Sequence, residues 1–404
     1  MSRHTRRRSP LRVRLTVAGA GILAVAAAAA TMTIASAGEP AHRRAEEQTA
    51  GADHAVFVQG NELEGNSIHV FRRGTDGKLT PAGRYRTGGK GGDQVDAPTD
   101  SLASQGSLVY DDRSGLLLAV NAGSGTVTSF QVRGQKLTHR RVVGSGGDFP
   151  SSITVSGRVA YVMNAGGAGS VQGFRITADG LRPLPGSRRS LGLDNEKVPL
   201  FSSSPGQVAF TPDGRALVVT TKSANTIEVF PVGRDGRPAE KAVVSRSAGE
   251  VPFAITFDRS GRMLVAEAAK STVSTYTVRS DGRLKLLQRP LANGQNTLCW
   301  LERAGAFFYG GNTGNSTVTG YRMDRHGRLA LTHAQGIATP PSAQSQGVID
   351  LAVTKDEKFL YVQNATSGTV DGFRIGGDGS LTKVTTATGL PAFADSGMEG
   401  ITAV

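Results

Sequence analysis

The sequence predicts an all-β chain, a seven-bladed β-propeller of four-stranded antiparallel blades, on three observations. First, an aromatic residue recurs seven times near the end of an alternating segment: Phe71, Phe130, Phe174, Phe230, Tyr276, Tyr321 and Phe373. Successive copies lie between 44 residues (Phe130 to Phe174) and 59 residues (Phe71 to Phe130) apart, a spacing that suits one blade per repeat. Second, a tight turn follows most copies, as in Asp76-Gly77, Asp235-Gly236, Asp281-Gly282 and Asp378-Gly379, and Asp-Gly tolerates the positive φ of hairpin turns. Third, 53 of the 404 residues are Gly, about twice the ordinary share, as a chain of many turns requires.

The elements follow in chain order. Met1 to Arg14 hold six arginines and no acid, Leu15 to Ala30 are small and apolar, and Ala35-Ser36-Ala37 offers a cleavage site. This is the build of a secretory signal over residues 1–37 and predicts an extracytoplasmic protein without a stable membrane anchor. Arg6-Arg7 is a partial twin-arginine signature, followed by Ser9-Pro10 in place of apolar residues, so the export route stays open. Residues 38–53 are polar and aperiodic and read as a flexible lead to a propeller over 54–404.

Within the propeller, an apolar strand precedes each aromatic strand. These second strands are Ala55–Gln59, Leu116–Val120, Val159–Met163, Ala216–Thr220, Met263–Glu267, Ala306–Gly310 and Phe359–Gln363. Innermost strands such as Val208–Phe210 and Ile255–Phe257 come before them, after which a turn follows. The first blade begins at its second strand, and the chain finishes on Gly400-Ile401-Thr402-Ala403-Val404. These last residues are expected to supply the missing innermost strand, which closes the ring and removes an open edge.

Composition removes several function classes. The formal charge is +13, but six positive charges and no negative ones lie in residues 1–37, leaving +7. The remaining basic residues are scattered on turns, so no nucleic-acid partner is expected. One Cys excludes a disulfide framework and a Cys-based zinc site, and Cys299 beside Trp300 reads as a buried core residue. The seven histidines fall in the leader region, at the start of the fold or on outer strands and turns, which disfavours a His general base or a His metal site. No G-x-S-x-G, H-E-x-x-H or phosphate-loop motif is present.

Units such as GQVAFTPDGRALVVTTKSANTIEVFPV (206–232) and DLAVTKDEKFLYVQNATSGTVDGFRI (350–375) resemble the seven-bladed propeller lactonases. That family includes propeller-type 6-phosphogluconolactonases and carboxymuconate lactonising enzymes. The resemblance extends over about residues 54–404 and implies opening of a sugar lactone by water. It also implies a Pro-Arg-His at the start of one innermost strand and an Asn-Glu after the second strand of that blade. The corresponding blade here is 251–278. It keeps Pro252 but has Phe253 and Ala254 at the Arg and His positions, with Glu267 and Ala268 at the Asn and Glu positions.

Two sets of positions should point to the ring centre on one face. The starts of innermost strands give Ser107, Ser152, Gln207, Asp350 and, near the last strand, Glu399; the ends of second strands give Asn164, Glu267 and Asn364, with Lys222 beside Thr221. Glu267 and Asp350 are the candidate catalytic acids, since water attack on a lactone needs a base. Ser107, Ser152, Asn164, Gln207, Lys222, Asn364 and Glu399 are the candidate ligand-binding set, suited to a small polar ligand or, through oxygen atoms, a hard cation. No resident metal and no cofactor are expected, and the chain is expected to be a monomer. Two readings result: a lactonase-like hydrolase, or a non-catalytic scaffold that binds a polar ligand or protein partner at the central face. Glu267 and Asp350 close together in a concave pocket would support the first. A centre plugged by Phe253 and Leu298 would support the second.

Overall fold

The computed structural model describes residues 54–404; the expected signal (1–37) and lead (38–53) lie outside the described residues. Seven antiparallel sheets form, one for each repeat. Blade 2 shows the common order from the axis outward: Leu108–Asp111, Leu116–Asn121, Thr126–Arg133 and Lys136–Gly144. The innermost strands of blades 3 to 7 are Pro150–Ser156, Pro205–Phe210, Pro252–Phe257, Leu298–Ala304 and Val348–Val353. Blade 1 is closed as expected. Glu399–Ala403 lies antiparallel to Ala55–Gln59, with Val58 opposite Ile401 and Val56 opposite Ala403.

Second strands are the most buried. Leu116–Asn121, Ala216–Thr221 and Phe359–Asn364 are buried at every position. Each blade packs a neighbour on both faces, so both sides of these strands are apolar or hydrogen-bonded. Outer strands such as Leu79–Arg86 meet solvent along most of their length. Apolar clusters therefore lie between adjacent blades, with Tyr161 of blade 3 edge-on to Phe210 of blade 4 at 5.7 Å.

A tyrosine clamp couples neighbouring blades. In the second strands, Tyr161, Tyr309 and Tyr361 each donate their hydroxyl to a turn carbonyl of the next blade: Gly236 at 2.7 Å, Gly379 at 2.9 Å and Gly77 at 2.8 Å. The last of these joins blade 7 to blade 1 and so works with strand closure to complete the ring.

Beyond small shifts at strand ends, two details differ from the sequence reading. Blade 3 gains a short fifth strand, Arg189–Ser190, paired to its third strand. The second strand of blade 6 is Phe307–Asn312, not Ala306–Gly310, because Gly305 adopts φ 63° and keeps Ala306 in the turn.

Candidate functional site

Innermost strands begin, and second strands end, on one side of the ring, called here the loop face. The connections between successive blades also cross this face. The one between blades 1 and 2 does not stay on the surface. Residues 100–105 are buried, and their bonds reach innermost strands on opposite sides of the ring. Gln105 N–H donates to the Gly206 carbonyl of blade 4 at 3.1 Å. Ser104 Oγ donates to the Ser151 carbonyl of blade 3 at 2.7 Å. Trp300 Nε1 of blade 6 donates to the Ser104 carbonyl at 3.2 Å. Leu102 N–H donates to Glu399 Oε1 of blade 1 at 2.9 Å. A segment bonded to blades 1, 3, 4 and 6 at once must pass through the ring centre.

The Gln105 amide shows how well the segment is fitted. Its Oε1 accepts from Leu301 N–H at 3.1 Å, and its Nε2 donates to the Leu301 carbonyl at 3.2 Å and to Glu302 Oε1 at 3.0 Å. The side-chain amide thus pairs with the innermost strand as another peptide group would. The plug is therefore residues 100–105 rather than Phe253 and Leu298. Those two are buried in the wall, with Phe253 edge-on to Trp300 at 5.2 Å.

Around the plug sits a cluster of ionisable groups. Asp100 Oδ1 and Glu399 Oε1 accept from the same Leu102 N–H, at 3.1 and 2.9 Å. Two carboxyls converging on one donor in a dry site cannot both be ionised at low cost. Burial raises Asp100, and burial with the Asp100 charge raises Glu399 well above the carboxylate range. Asp350 accepts from Leu351 N–H at 2.9 Å and Ile401 N–H at 3.2 Å, and is also raised well above its ordinary value by burial and by Glu302. Glu302 is pushed up to about 7 by burial. Lys222 Nζ donates to the Ala103 carbonyl at 3.0 Å and lies 4.9 Å from the Phe201 ring. Burial pushes it down to about 7, opposed by Asp100.

The sequence-derived candidates divide into two groups. Ser152, Lys222, Asp350 and Glu399 reach this centre; Ser152 Oγ donates to the Gln105 carbonyl at 2.7 Å. Gln207 bridges blades by accepting from Ile255 N–H. Ser107 is buried beside them, and its Oγ has no hydrogen-bond partner among the described residues. Glu267, Asn164 and Asn364 instead turn toward their own hairpins or the connection that enters their blade. Glu267 Oε1 accepts from Gly249 N–H at 2.7 Å and Ser247 Oγ at 3.1 Å, and Oε2 accepts from Thr272 Oγ1. Asn164 Nδ2 donates to the Ser145 carbonyl, and Asn364 Nδ2 donates to Thr369 Oγ1 and Asp371 Oδ2. Glu267 and Asp350 thus share no hydrogen bond and no common partner. Asp100 and Glu302 join the centre without having been singled out from sequence. Cys299 is a buried free thiol pushed up to about 12 by burial, as a core residue would be.

Trp300→Phe tests the fit of the plug. It leaves the buried Ser104 carbonyl without its donor, a loss of about 1–3 kcal/mol. The expected result is a lower melting temperature and faster protease cleavage within residues 93–106.

Comparison with known proteins agrees with this architecture. Residues 192–302 match the family model described as Lactonase, 7-bladed beta-propeller. None of the curated proteins matches the chain. Among solved structures, a Lactobacillus plantarum protein is similar at 18% identity and a TM-score of 0.65, with 83% of this chain and 96% of that one covered. A candidate 6-phosphogluconolactonase from Bacteroides fragilis shares 19% identity at a TM-score of 0.63, covering 84% and 97%. The periplasmic gluconolactonase of Pseudomonas aeruginosa shares 20% identity at a TM-score of 0.63, covering 87% and 99%. At such identities the likeness is one of fold.

Proposed function

We propose that this seven-bladed propeller of the lactonase type acts outside the cytoplasm as a non-catalytic binding scaffold. The observation that carries the reading is the plug: residues 100–105 occupy the ring centre, where a lactone would have to sit. Three of the candidate ligand-binding groups there are already engaged by the plug. Glu399 holds Leu102, Lys222 holds Ala103 and Ser152 holds the Gln105 carbonyl. The acids that could serve as a base are poorly placed for it. Glu267 is held by three hydrogen-bond donors, and Asp350 is buried, raised well above its ordinary value and already accepting from two backbone N–H groups. Phe253 and Ala254 offer neither the cation nor the imidazole that the resemblance implies. Export is supported by the signal-like residues 1–37 and by the periplasmic location named for the Pseudomonas neighbour. The scaffold is proposed to be a monomer without cofactor.

The lactonase reading keeps one specific support, the family-model match over residues 192–302. Hydrolysis of glucono-δ-lactone and 6-phosphogluconolactone by the exported chain and by Glu267→Ala separates the two. The scaffold reading expects both proteins at the rate of buffer alone. Turnover by the wild type that disappears in Glu267→Ala would establish the enzyme instead.

A further inference from the structure

The loop face differs chemically from the rest of the molecule. Even without residues 1–37 the chain is basic, at +7. The loop face nevertheless presents exposed Asp93, Asp96, Asp194, Glu196 and Asp395. None of these five has a Lys or Arg ion-pair partner among the described residues. The exposed bases nearby, Lys90 and Lys197, are already turned toward Glu64 at 3.1 Å and Asp148 at 3.8 Å. The opposite face is where most arginines of the turns lie, including exposed Arg279 and Arg283 of blade 5.

The same face exposes large apolar side chains beside the acids. Val95 is 49% exposed, Val198 42% and Leu200 41%. They are brought together by backbone pairing: Val95 N–H donates to the Pro199 carbonyl at 3.1 Å, and Phe201 N–H donates to the Val95 carbonyl at 2.9 Å. Gln94, next to Val95, anchors it to the plug, donating its N–H to the Ser101 carbonyl at 2.9 Å and its Nε2 to the Leu102 carbonyl at 2.7 Å. Apolar side chains held rigid in water without a cover mark an interaction surface, and a preformed surface lowers the ordering cost of binding.

We propose that the loop face, centred on Val95, Val198 and Leu200 and flanked by Asp93, Asp96, Asp194 and Glu196, docks a basic protein segment carrying an apolar anchor. The proposal rests on the scaffold reading and names its partner chemistry. Charge selects the occupant. Nucleic acid and anionic membrane would be repelled, and so would a second copy presenting the same face, since acid would meet acid. Cationic side chains would gain the unpaired carboxylates, and an apolar residue would cover the valine and leucine patch.

Fluorescence anisotropy with labelled peptides of about twelve residues tests this: one rich in Lys with two Leu, one with Gln for Lys, one with Glu for Lys. The Lys peptide is expected to bind at least about tenfold tighter than the other two, and to weaken between about 50 and 300 mM salt. Combining Asp93→Asn, Asp96→Asn, Asp194→Asn and Glu196→Gln should cost about tenfold or more, and so should Val95→Ser with Leu200→Ser. Arg279→Gln with Arg283→Gln should change nothing. All these positions are exposed, so an unaltered melting curve checks that each variant is folded. Equal affinity for the Lys and Glu peptides would overturn the proposal. Binding untouched by the loop-face variants would also overturn it, as would self-association in sedimentation that those variants abolish. Lactone turnover is read separately, so failure of the scaffold reading and failure of this one are distinguishable.

Discussion

Removing residues 398–404 is expected to leave a chain that does not reach a soluble folded monomer. Met398 and Ile401 are buried in the cluster between blades 7 and 1, and Val404 in the one between blades 1 and 2. Burying one such side chain stabilises by about 1.5–3 kcal/mol. The deletion also strips partners from buried polar groups. Asp350 Oδ2 loses Ile401 N–H and Gln363 Nε2 loses the Glu399 carbonyl, while Leu102 N–H keeps only Asp100. Each orphaned group costs about 1–3 kcal/mol. These losses together rival the whole stability of a domain, about 5–15 kcal/mol. Ala55–Gln59 would become an open apolar edge able to pair with other chains. By contrast, Ile401→Ala should lose about 2–5 kcal/mol and stay soluble. Soluble yield, size-exclusion profile and thermal melting by circular dichroism decide the matter. An unchanged melting temperature in the deletion would refute strand closure as a stabilising device.

The blades and their closure were legible because each signal repeats: the aromatic near a strand end, the Asp-Gly turn, and the matching last residues. The centre was only half legible. Alignment of repeats finds which positions can point inward, and Ser152, Lys222, Asp350 and Glu399 do so. It could not say which side chains fold back. Yet a local signal was present. Asn121–Thr126, Glu267–Thr272, Asn312–Thr317 and Asn364–Thr369 are each five residues apart, and each pair is hydrogen-bonded across the end of its own hairpin. That spacing marks a hairpin lock, which explains why Glu267 and Asn364 stay out of the centre.

The plug had a signal as well. The longest interval between aromatics, 59 residues from Phe71 to Phe130, holds residues 100–105. The interval from Phe174 to Phe230 holds the segment that pairs with Val95 through Pro199 and Phe201. Length that a blade does not need is length available to cross the ring. What periodicity cannot supply is the partner: Asp100 occurs once, in a connection, and nothing in the repeats places it against Glu399.

The Asp100–Glu399 pair carries the second large prediction, an unusual pH profile of stability. Asp100, Glu399, Asp350 and Glu302 all have folded-state values raised by burial. An acid raised on folding binds its proton more tightly in the native chain. Its contribution is fully present below the unfolded value and is lost as pH rises through the folded one. For Glu302 that window runs from 4.5 to about 7. Lys222, pushed down to about 7 by burial, works in the opposite sense only above that pH. Glu62, lowered to about 2 through its bonds to His69 and Ser67 against the cost of burial, withdraws its support only on the acid side of 4.5. The melting temperature should therefore be highest at about pH 4.5 and fall toward pH 8. Glu399→Gln copies the protonated pair: Oε1 still accepts from Leu102 N–H, and the amide N–H₂ takes the proton's place toward Asp100. At pH 8 this variant should gain about 1–3 kcal/mol over the wild type, a rise of a few degrees, and show a flatter profile from pH 5 to 8. Glu399→Ala leaves Leu102 N–H to Asp100 alone and a void where the buried side chain was, and should be less stable than Glu399→Gln at every pH. A wild type as stable at pH 8 as at pH 5, or a Gln variant that melts lower than wild type at pH 8, would show that the Asp100–Glu399 pair does not hold a proton in the folded chain.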